Sequence, residues 1–153
     1  MTVLLLCSVP DPRRDPAWYA SPDEIFIREA VRGLAAAGKT NGMTLMVADH
    51  PAIVPLVTAI LPASQVRVIQ RGVDFVLSRI SVAILIGGAS EELRQTRQVR
   101  DANVRLIPVA STGGAAARLY EEMSAEGSIS MRDAFALRSN RPYSIIFERL
   151  LSS

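Results

Sequence analysis

The sequence predicts an α/β fold: a three-layer, Rossmann-like parallel sheet of about five strands with helices on both faces. Short continuous apolar runs recur along the chain, as expected for strands that are covered on both faces. Segments with helical spacing separate these runs, and such alternation is typical of a three-layer α/β architecture. Glycine pairs stand where two of the runs end and a helix follows. In an open parallel sheet this is the carboxyl edge, where ligands bind.

Length and composition narrow the class of protein. A chain of 153 residues predicts one domain, residues 1–153, and a hydrophobic content of 49% excludes a disordered chain. No apolar run is long enough to span a bilayer, and the opening TVLLLCSV is too short for a signal segment. The single cysteine, Cys7, permits no internal disulfide. We therefore expect a cytoplasmic protein without a membrane partner.

The charge pattern argues against a nucleic-acid partner. The net charge is +2, and the basic residues are scattered rather than gathered on one run. Metal chemistry is not expected either, because one histidine, one cysteine and no clustered acids offer too few ligands. We expect no cofactor.

The five predicted strands are the apolar runs of the chain: residues 2–9, 43–48, 66–70, 82–86 and 106–110. The predicted helices lie between and after them. The first begins at Ser21 and Pro22, with Glu24 placed for a capping box, and Gly38 is expected to end it. Helical periodicity then follows at residues 51–61, 90–102 and beyond residue 114, whereas residues 71–81 are expected to form a short helix or turn. Ser130 is expected to cap a further helix.

A last helix is predicted to open at residues 141–142. Its apolar side chains recur at helical spacing, so we expect one buried side formed by Tyr143, Ile146, Phe147 and Leu150.

The two glycine turns are the candidate binding elements. Gly87 and Gly88 follow the run 82–86, and Thr112, Gly113 and Gly114 follow the run 106–110. Glycine lets the backbone approach a ligand closely, and the helix start behind it presents free N–H groups to an anion. We expect Thr112 to cap the second helix through its hydroxyl. The alternative is ordinary cap chemistry at tight turns, without a ligand.

Two acids, Glu91 and Glu92, enter the helix behind the first glycine turn. The helix dipole favours acids at this position, which is a sufficient explanation for at least one of them. The functional interpretation is that one accepts hydrogen bonds from ribose hydroxyls or acts as a general base. These two are the only candidates for a catalytic role.

Four further residues are candidate ligand contacts. Ser8 ends the first strand, and Arg13 and Arg14 lie in a proline-rich loop that we expect to fold over the carboxyl edge. His50, the only histidine, follows the second strand. For each of them a structural role is the alternative: a strand end, a solvated loop with local acidic partners, or a helix cap.

Cys7 and Arg118 are expected to lie away from a ligand. Cys7 alternates with Ser8 and is expected to point into the core without a base to activate it. Arg118 is one turn into the last glycine helix, from which it either reaches back to a ligand or lies in solvent, and we expect solvent.

Four blocks match a known family in order: CSVPDPRRD with the helix IREAVRGL, then HPAIVPLV, then ILIGGASEEL, then IPVASTGGAAARLYEE. Together they resemble the SLOG superfamily, the Rossmann-like group related to the LOG enzymes of cytokinin activation and to DprA-type proteins. The nearest likeness is to its bacterial conflict-system branches, whose SLOG domains occur with TIR or nucleoside-phosphorylase-like domains. The likeness covers nearly the whole chain.

The resemblance implies a pocket for a nucleotide-derived signal. Thoeris-type SLOG domains sense a cyclic ADP-ribose isomer, and LOG enzymes cleave a nucleoside monophosphate to free base and ribose phosphate. Two departures matter here. Asp49 stands where relatives often have glycine before His-Pro, and Ile86 to Glu92 lacks the proline, third glycine and threonine of the LOG turn PGGxGTxxE. Asp49 puts a negative charge where a phosphate would approach, which motivates an assembly subunit with a vestigial pocket. The altered glycine turn favours a binding module over an enzyme.

Three functions therefore follow as expectations. The first is a stand-alone domain that binds or senses a nucleotide-derived molecule, such as ADP-ribose or a cyclic isomer, in bacterial defence or signalling. The second is a LOG-like N-glycosidase acting on nucleoside monophosphates. The third is an assembly subunit with a vestigial pocket. By resemblance we expect a homo-oligomer and a TIR-type or other effector partner.

Overall fold

The chain forms an open sheet of five parallel strands. The computed structural model describes residues 1–9, 17–18, 23–70, 77–139 and 142–152. The strands are β1 (Thr2–Ser8), β2 (Thr44–Ala48), β3 (Val66–Ile69), β4 (Val82–Gly87) and β5 (Arg105–Val109). They lie in the order β3-β2-β1-β4-β5, and every neighbouring pair is parallel. This arrangement confirms the predicted fold class.

Helices cover both faces of the sheet. They are α1 (Asp23–Asn41), α2 (Val54–Thr58), α3 (Ser90–Asp101), α4 (Gly114–Ala125), α5 (Met131–Arg138) and α6 (Tyr143–Leu151). Buried side chains of α1, α2, α5 and α6 join one core cluster, and those of α3 and α4 mainly join a second. Among the described helices, none combines the length and apolar character needed to cross a membrane.

The alternation of β1 side chains explains the continuous apolar runs. Val3 and Leu5 pack into the α1 cluster, whereas Leu4 and Leu6 pack into the α3–α4 cluster. Successive strand side chains point to opposite faces, so a strand with helices on both sides is apolar throughout. Strand β4 is the extreme case, because all six of its residues are buried.

The strand order reverses direction between β1 and β4. From β1 the chain moves through α1 to β2 and β3 on one side, and from β4 it moves through α3 to β5 on the other. Such a switch point opens a crevice at the carboxyl ends of the two strands, where α/β proteins bind ligands. Here Ser8 of β1 lies opposite Gly87 of β4.

Helix α1 does not end at Gly38, so that prediction is wrong. The helix continues to Asn41, and Gly42 follows with a φ of 66°. Gly38 is buried instead, and a Cβ there would collide with the side chain of Met43. Gly42 supplies the left-handed residue that commonly ends a helix, whereas Gly38 makes room for a core side chain.

Most other predicted boundaries are confirmed within a few residues. Ser130 caps α5 by accepting a hydrogen bond from the Asp133 N–H at 3.1 Å. The predicted apolar side of the last helix is buried in α6. Helix α2 is shorter than its apolar pattern and ends at Thr58. Residues 77–79 form a short 3-10 turn, and residues 71–76 lie outside the described residues.

Candidate functional site

Two glycine turns lie beside each other at the carboxyl edge of the sheet. Gly87 and Gly88 end β4, and Gly113 and Gly114 follow β5 after a short 3-10 turn (Ala110–Thr112). Their φ angles are 59°, 90°, 74° and 57°, all in the region that favours glycine. Both turns begin helices, α3 and α4, so the helix starts lie at the same edge as the switch point.

Hydrogen bonds tie the two turns to each other. The Thr112 hydroxyl accepts from the Gly87 N–H at 2.8 Å and donates to the Val109 carbonyl at 2.6 Å. The Ala115 N–H donates to the Gly88 carbonyl at 2.9 Å. The prediction that Thr112 caps α4 is therefore wrong: the cap position is Gly113, with no side-chain cap bond. The buried Thr112 hydroxyl instead satisfies an N–H of the neighbouring strand end.

Glu92 belongs to the first turn. Its carboxylate accepts from the Ala89 N–H at 2.9 Å, so it caps the start of α3 from within the same helix. Only 9% of the residue is exposed. A Cβ on Gly88 would lie 2.9 Å from the Glu92 Cβ. The first turn is thus closed over a buried carboxylate.

Asp23 belongs to the second turn, although it lies in the first turn of α1. It is 9% exposed, and a Cβ on Gly113 would collide with both oxygens of its carboxylate. The carboxylate therefore lies directly against the start of α4, where an anion would be expected from the sequence. Helix starts favour negative charge, and here the protein supplies that charge itself.

The other residues that were predicted to contact a ligand lie at different distances from the two glycine turns. Ser8 is buried at the end of β1, next to the first turn. Glu91 is exposed and pairs with Arg94 at 2.8 Å. His50 follows β2, on the far side of β1 from the glycine turns, and its Nδ1 accepts from the Ala52 N–H at 3.1 Å. Arg13 and Arg14 lie outside the described residues.

Cys7 packs against the α1 core cluster, as the alternation predicts. Burial raises the pKa of its thiol well above the ordinary value, and the nearby Glu92 carboxylate raises it further. A thiol held neutral at physiological pH is a poor nucleophile, so Cys7 is not suited to covalent catalysis.

Ala17 and Trp18, which follow β1 in the chain, lie beside α4. The Arg118 guanidinium lies 3.7 Å above the centre of the Trp18 ring and donates to the Ala17 carbonyl at 3.2 Å. Trp18 packs against the α3–α4 cluster. Helix α1, which begins five residues later, packs into the cluster on the opposite face of the sheet. The expectation that Arg118 simply lies in solvent is therefore incomplete, because it is exposed but holds Trp18 through a cation–π contact.

A shallow cleft lies on the other side of the second turn. The cleft has a volume of about 200 Å³ and is lined by Ala110, Ser111, Ala117, Glu121 and Arg138. The Ser111 and Tyr143 hydroxyls are hydrogen-bonded at 2.8 Å beside it. Burial raises the pKa of the Tyr143 phenol, Glu29 adds to the rise, and the Ser111 bond opposes it. The Tyr143 phenol therefore stays neutral and does not supply a base.

Metal ligands do not converge in the described part of the chain. Among these residues, no three His, Cys, Asp or Glu side chains are grouped closely enough to hold an ion.

Comparison with known proteins finds a solved structure of similar fold and no matching family. No family model and no curated protein matches the chain. Among solved structures, the MAR1 ribonuclease from Caenorhabditis elegans is similar, with a TM-score of 0.60 and 15% sequence identity. The match covers 99% of this chain and 90% of the ribonuclease. At this identity the similarity shows a shared fold alone.

Sequence reasoning missed two features of the site. It gave Asp23 no place in the site, and it gave Trp18 and Arg118 no common role. An acid in the first turn of a helix is normal, so Asp23 carries no local signal of its contact with Gly113. The contact between Trp18 and Arg118 joins residues that are distant in the chain, so it carries no local signal either.

Proposed function

We propose that this domain binds a nucleotide-derived small molecule at the carboxyl edge of its sheet, as a recognition module rather than an enzyme. One observation carries the proposal. Four positive-φ glycines form two hydrogen-bonded turns beside the switch point of an open parallel sheet. In this class of fold the switch point is the usual ligand site.

The side chains around the turns suit a sugar. Asp23 and Glu92 supply carboxylate oxygens, which accept hydrogen bonds from hydroxyls. On the α4 side the Arg118 guanidinium stacks on the Trp18 ring. A nucleoside carries ribose hydroxyls, so it matches the carboxylates. ADP-ribose and its cyclic isomers contain the same groups.

An N-glycosidase is the second candidate, and the observation that favours it is a buried carboxylate at a glycine turn. In such a reaction water adds to C1′ of the ribose and the base leaves with a proton. A carboxylate such as that of Glu92 stabilises the positive charge that develops on the sugar. Against this candidate, one Glu92 oxygen already accepts from the Ala89 N–H.

Titration calorimetry tests the binding proposal directly. ADP-ribose, cyclic ADP-ribose, NAD and AMP are titrated into the purified protein, and we expect at least one to bind. Glu92→Gln should weaken binding. Glu91→Gln is the matched control, because the neighbouring carboxylate is exposed and paired with Arg94. Absence of heat with all four ligands would contradict the proposal.

Analysis of the reaction products distinguishes a binding protein from an enzyme. Incubation with AMP and with single-stranded RNA, followed by chromatography, should release neither free base nor shorter RNA. Base release that Glu92→Gln abolishes would establish the N-glycosidase. Cleavage of RNA would extend the similarity to the nematode ribonuclease from fold to activity.

A further inference from the structure

We propose that the cleft lined by Ser111, Glu121 and Arg138 binds a small zwitterion, an α-amino acid with an aliphatic side chain. The walls of this cleft come from the 3-10 turn Ala110–Thr112, from α4 and from α5. None of the four glycines of the two turns lines it. The inference therefore concerns a second site and does not depend on the proposed function.

The cleft and the space beside it are large enough for such a molecule. The cleft itself has a volume of about 200 Å³. A neighbouring cavity of about 370 Å³ is lined by Tyr120, Ala134, Arg138 and Ser139. Arg138 borders both spaces, so they adjoin at its side chain. Sites for small ligands commonly have volumes of about 300–1,000 Å³.

Opposite charges line this cleft without pairing. Glu121 belongs to α4, and Arg138 is the last residue of α5. Within the described part of the chain, neither side chain forms an ion pair or a hydrogen bond with the other or with any other residue. Both residues are exposed, so both charges are available to a ligand.

The two charges match the two ends of a zwitterion. A guanidinium group binds a carboxylate through two parallel N–H···O bonds, and a carboxylate accepts hydrogen bonds from an ammonium group. An α-amino acid carries both of these groups on one carbon. It can therefore bridge Arg138 and Glu121, which do not reach each other directly.

The remaining walls fit the other groups of an α-amino acid. The Ser111 hydroxyl lies 2.8 Å from the Tyr143 hydroxyl, and a hydroxyl can both donate to a carboxylate and accept from an ammonium group. In the neighbouring cavity the Tyr120 hydroxyl is directed at the Ala134 carbonyl, at 3.5 Å. The ring of Tyr120 and the methyl group of Ala134 are left as apolar contacts for an aliphatic side chain.

The test uses L-leucine and two analogues that each lack one charge. L-Leucinamide lacks the carboxylate, and N-acetyl-L-leucine lacks the ammonium group. Each is titrated into the uniformly ¹⁵N-labelled protein, and the Kd is taken from the amide signals of Ser111, Ala117 and Arg138. We expect L-leucine to bind at least about tenfold more tightly than either analogue, because each analogue loses a charge-assisted hydrogen bond.

Two variants assign each charge of the ligand to its partner. Arg138→Gln should abolish the preference for L-leucine over L-leucinamide and keep the preference over N-acetyl-L-leucine. Glu121→Gln should do the reverse. Both side chains are exposed, so neither variant should disturb the fold. Arg132→Gln in α5 and Glu122→Gln in α4 are the matched controls, and both preferences should persist in them.

Three results would overturn the inference. They are the absence of shifts at millimolar L-leucine, equal Kd values for L-leucine and its analogues, and preferences that Arg138→Gln and Glu121→Gln leave unchanged. Each of these results is compatible with nucleotide binding at the glycine turns. Failure of ADP-ribose to bind would in turn overturn the proposed function and leave the amino-acid site standing.

Discussion

The two glycine turns look alike in sequence and are built in different ways. Each contains positive-φ glycines, begins a helix and lies against a buried carboxylate. In the first turn the carboxylate is that of Glu92, four residues after Gly88. In the second it is that of Asp23, which is 90 residues before Gly113 in the chain. One turn is therefore closed by its own helix and the other by a distant one.

The carboxylate at the first turn makes a local contact, and the carboxylate at the second turn makes a tertiary contact. Glu92 acts within its own helix, α3. Asp23 joins the start of α1 to the start of α4, two helices that belong to different sides of the sheet. A change at the second turn should therefore disturb the packing of the whole edge.

The largest effect is expected from Gly113→Ala. The added Cβ is strained at a φ of 74° and collides with the Asp23 carboxylate. We expect a loss of about 3–4 kcal/mol in the free energy of unfolding, from backbone strain and overpacking together. Urea denaturation monitored by circular dichroism gives this value.

Gly127→Ala is the matched control for that change. Gly127 has a φ of 75°, and a Cβ there would have no heavy atom within 4 Å. It should cost only about 1–2 kcal/mol, the backbone strain alone. Equal losses in the two variants would mean that the Asp23 carboxylate does not lie against the second turn.

A smaller loss is expected when the link between the turns is removed. Thr112→Val keeps the shape of a fully buried side chain but leaves the Gly87 N–H without its acceptor. We expect a cost of about 2–3 kcal/mol in the free energy of unfolding. Thr96→Val is the control: this buried hydroxyl only donates to the Leu93 carbonyl within α3, so about 1 kcal/mol is expected. A Thr112→Val cost no greater than that of Thr96→Val would show that the Thr112 hydroxyl does not tie the two turns together.

The smallest expected effect is on the pKa of the Cys7 thiol, which the Glu92 carboxylate of the first turn raises. Burial and the Glu92 carboxylate both raise the pKa of the thiol, so Glu92→Gln should lower it, with burial still dominant. Alkylation by iodoacetamide between pH 7 and 10 should then become faster than in the wild type at each pH. Glu91→Gln should leave the rate unchanged.

The raised pKa of the Cys7 thiol predicts that the free energy of unfolding depends on pH. The folded state holds the thiol neutral while the unfolded chain ionises at the ordinary value of about 8.5. The stabilising contribution is thus complete below that pH and is lost as pH rises towards the folded-state pKa. Cys7→Ser should flatten the alkaline decline in the free energy of unfolding. An identical decline in both proteins would contradict the assigned burial.

The sequence predicts most of the fold because its signals are local. The six residues of β4 form one apolar run, and the chain places a helix start after each glycine pair. Helix α1 shows the limit of this reasoning, because Gly38 and Gly42 are equally good stops in sequence. Only packing against Met43 distinguishes the buried glycine from the left-handed one.

The site is less predictable for the same physical reason. The Glu92 cap follows from its position in the first turn of α3. The Thr112 hydroxyl and the Asp23 carboxylate instead contact Gly87 and Gly113, partners that are distant in sequence. No periodicity or spacing encodes these contacts, so they emerge only when the strand ends are brought to one edge.

Ligand binding at the glycine turns is tested most directly by a ¹⁵N-correlated NMR titration of the uniformly labelled protein with ADP-ribose. We expect the amide signals of Gly87, Gly88, Gly113 and Gly114 to shift together at a common Kd, while Gly42 and Gly127, which lie outside the carboxyl edge, stay in place. Shifts confined to Ala117 and Arg138 beside the neighbouring cleft, or no shifts at millimolar ligand, would contradict it.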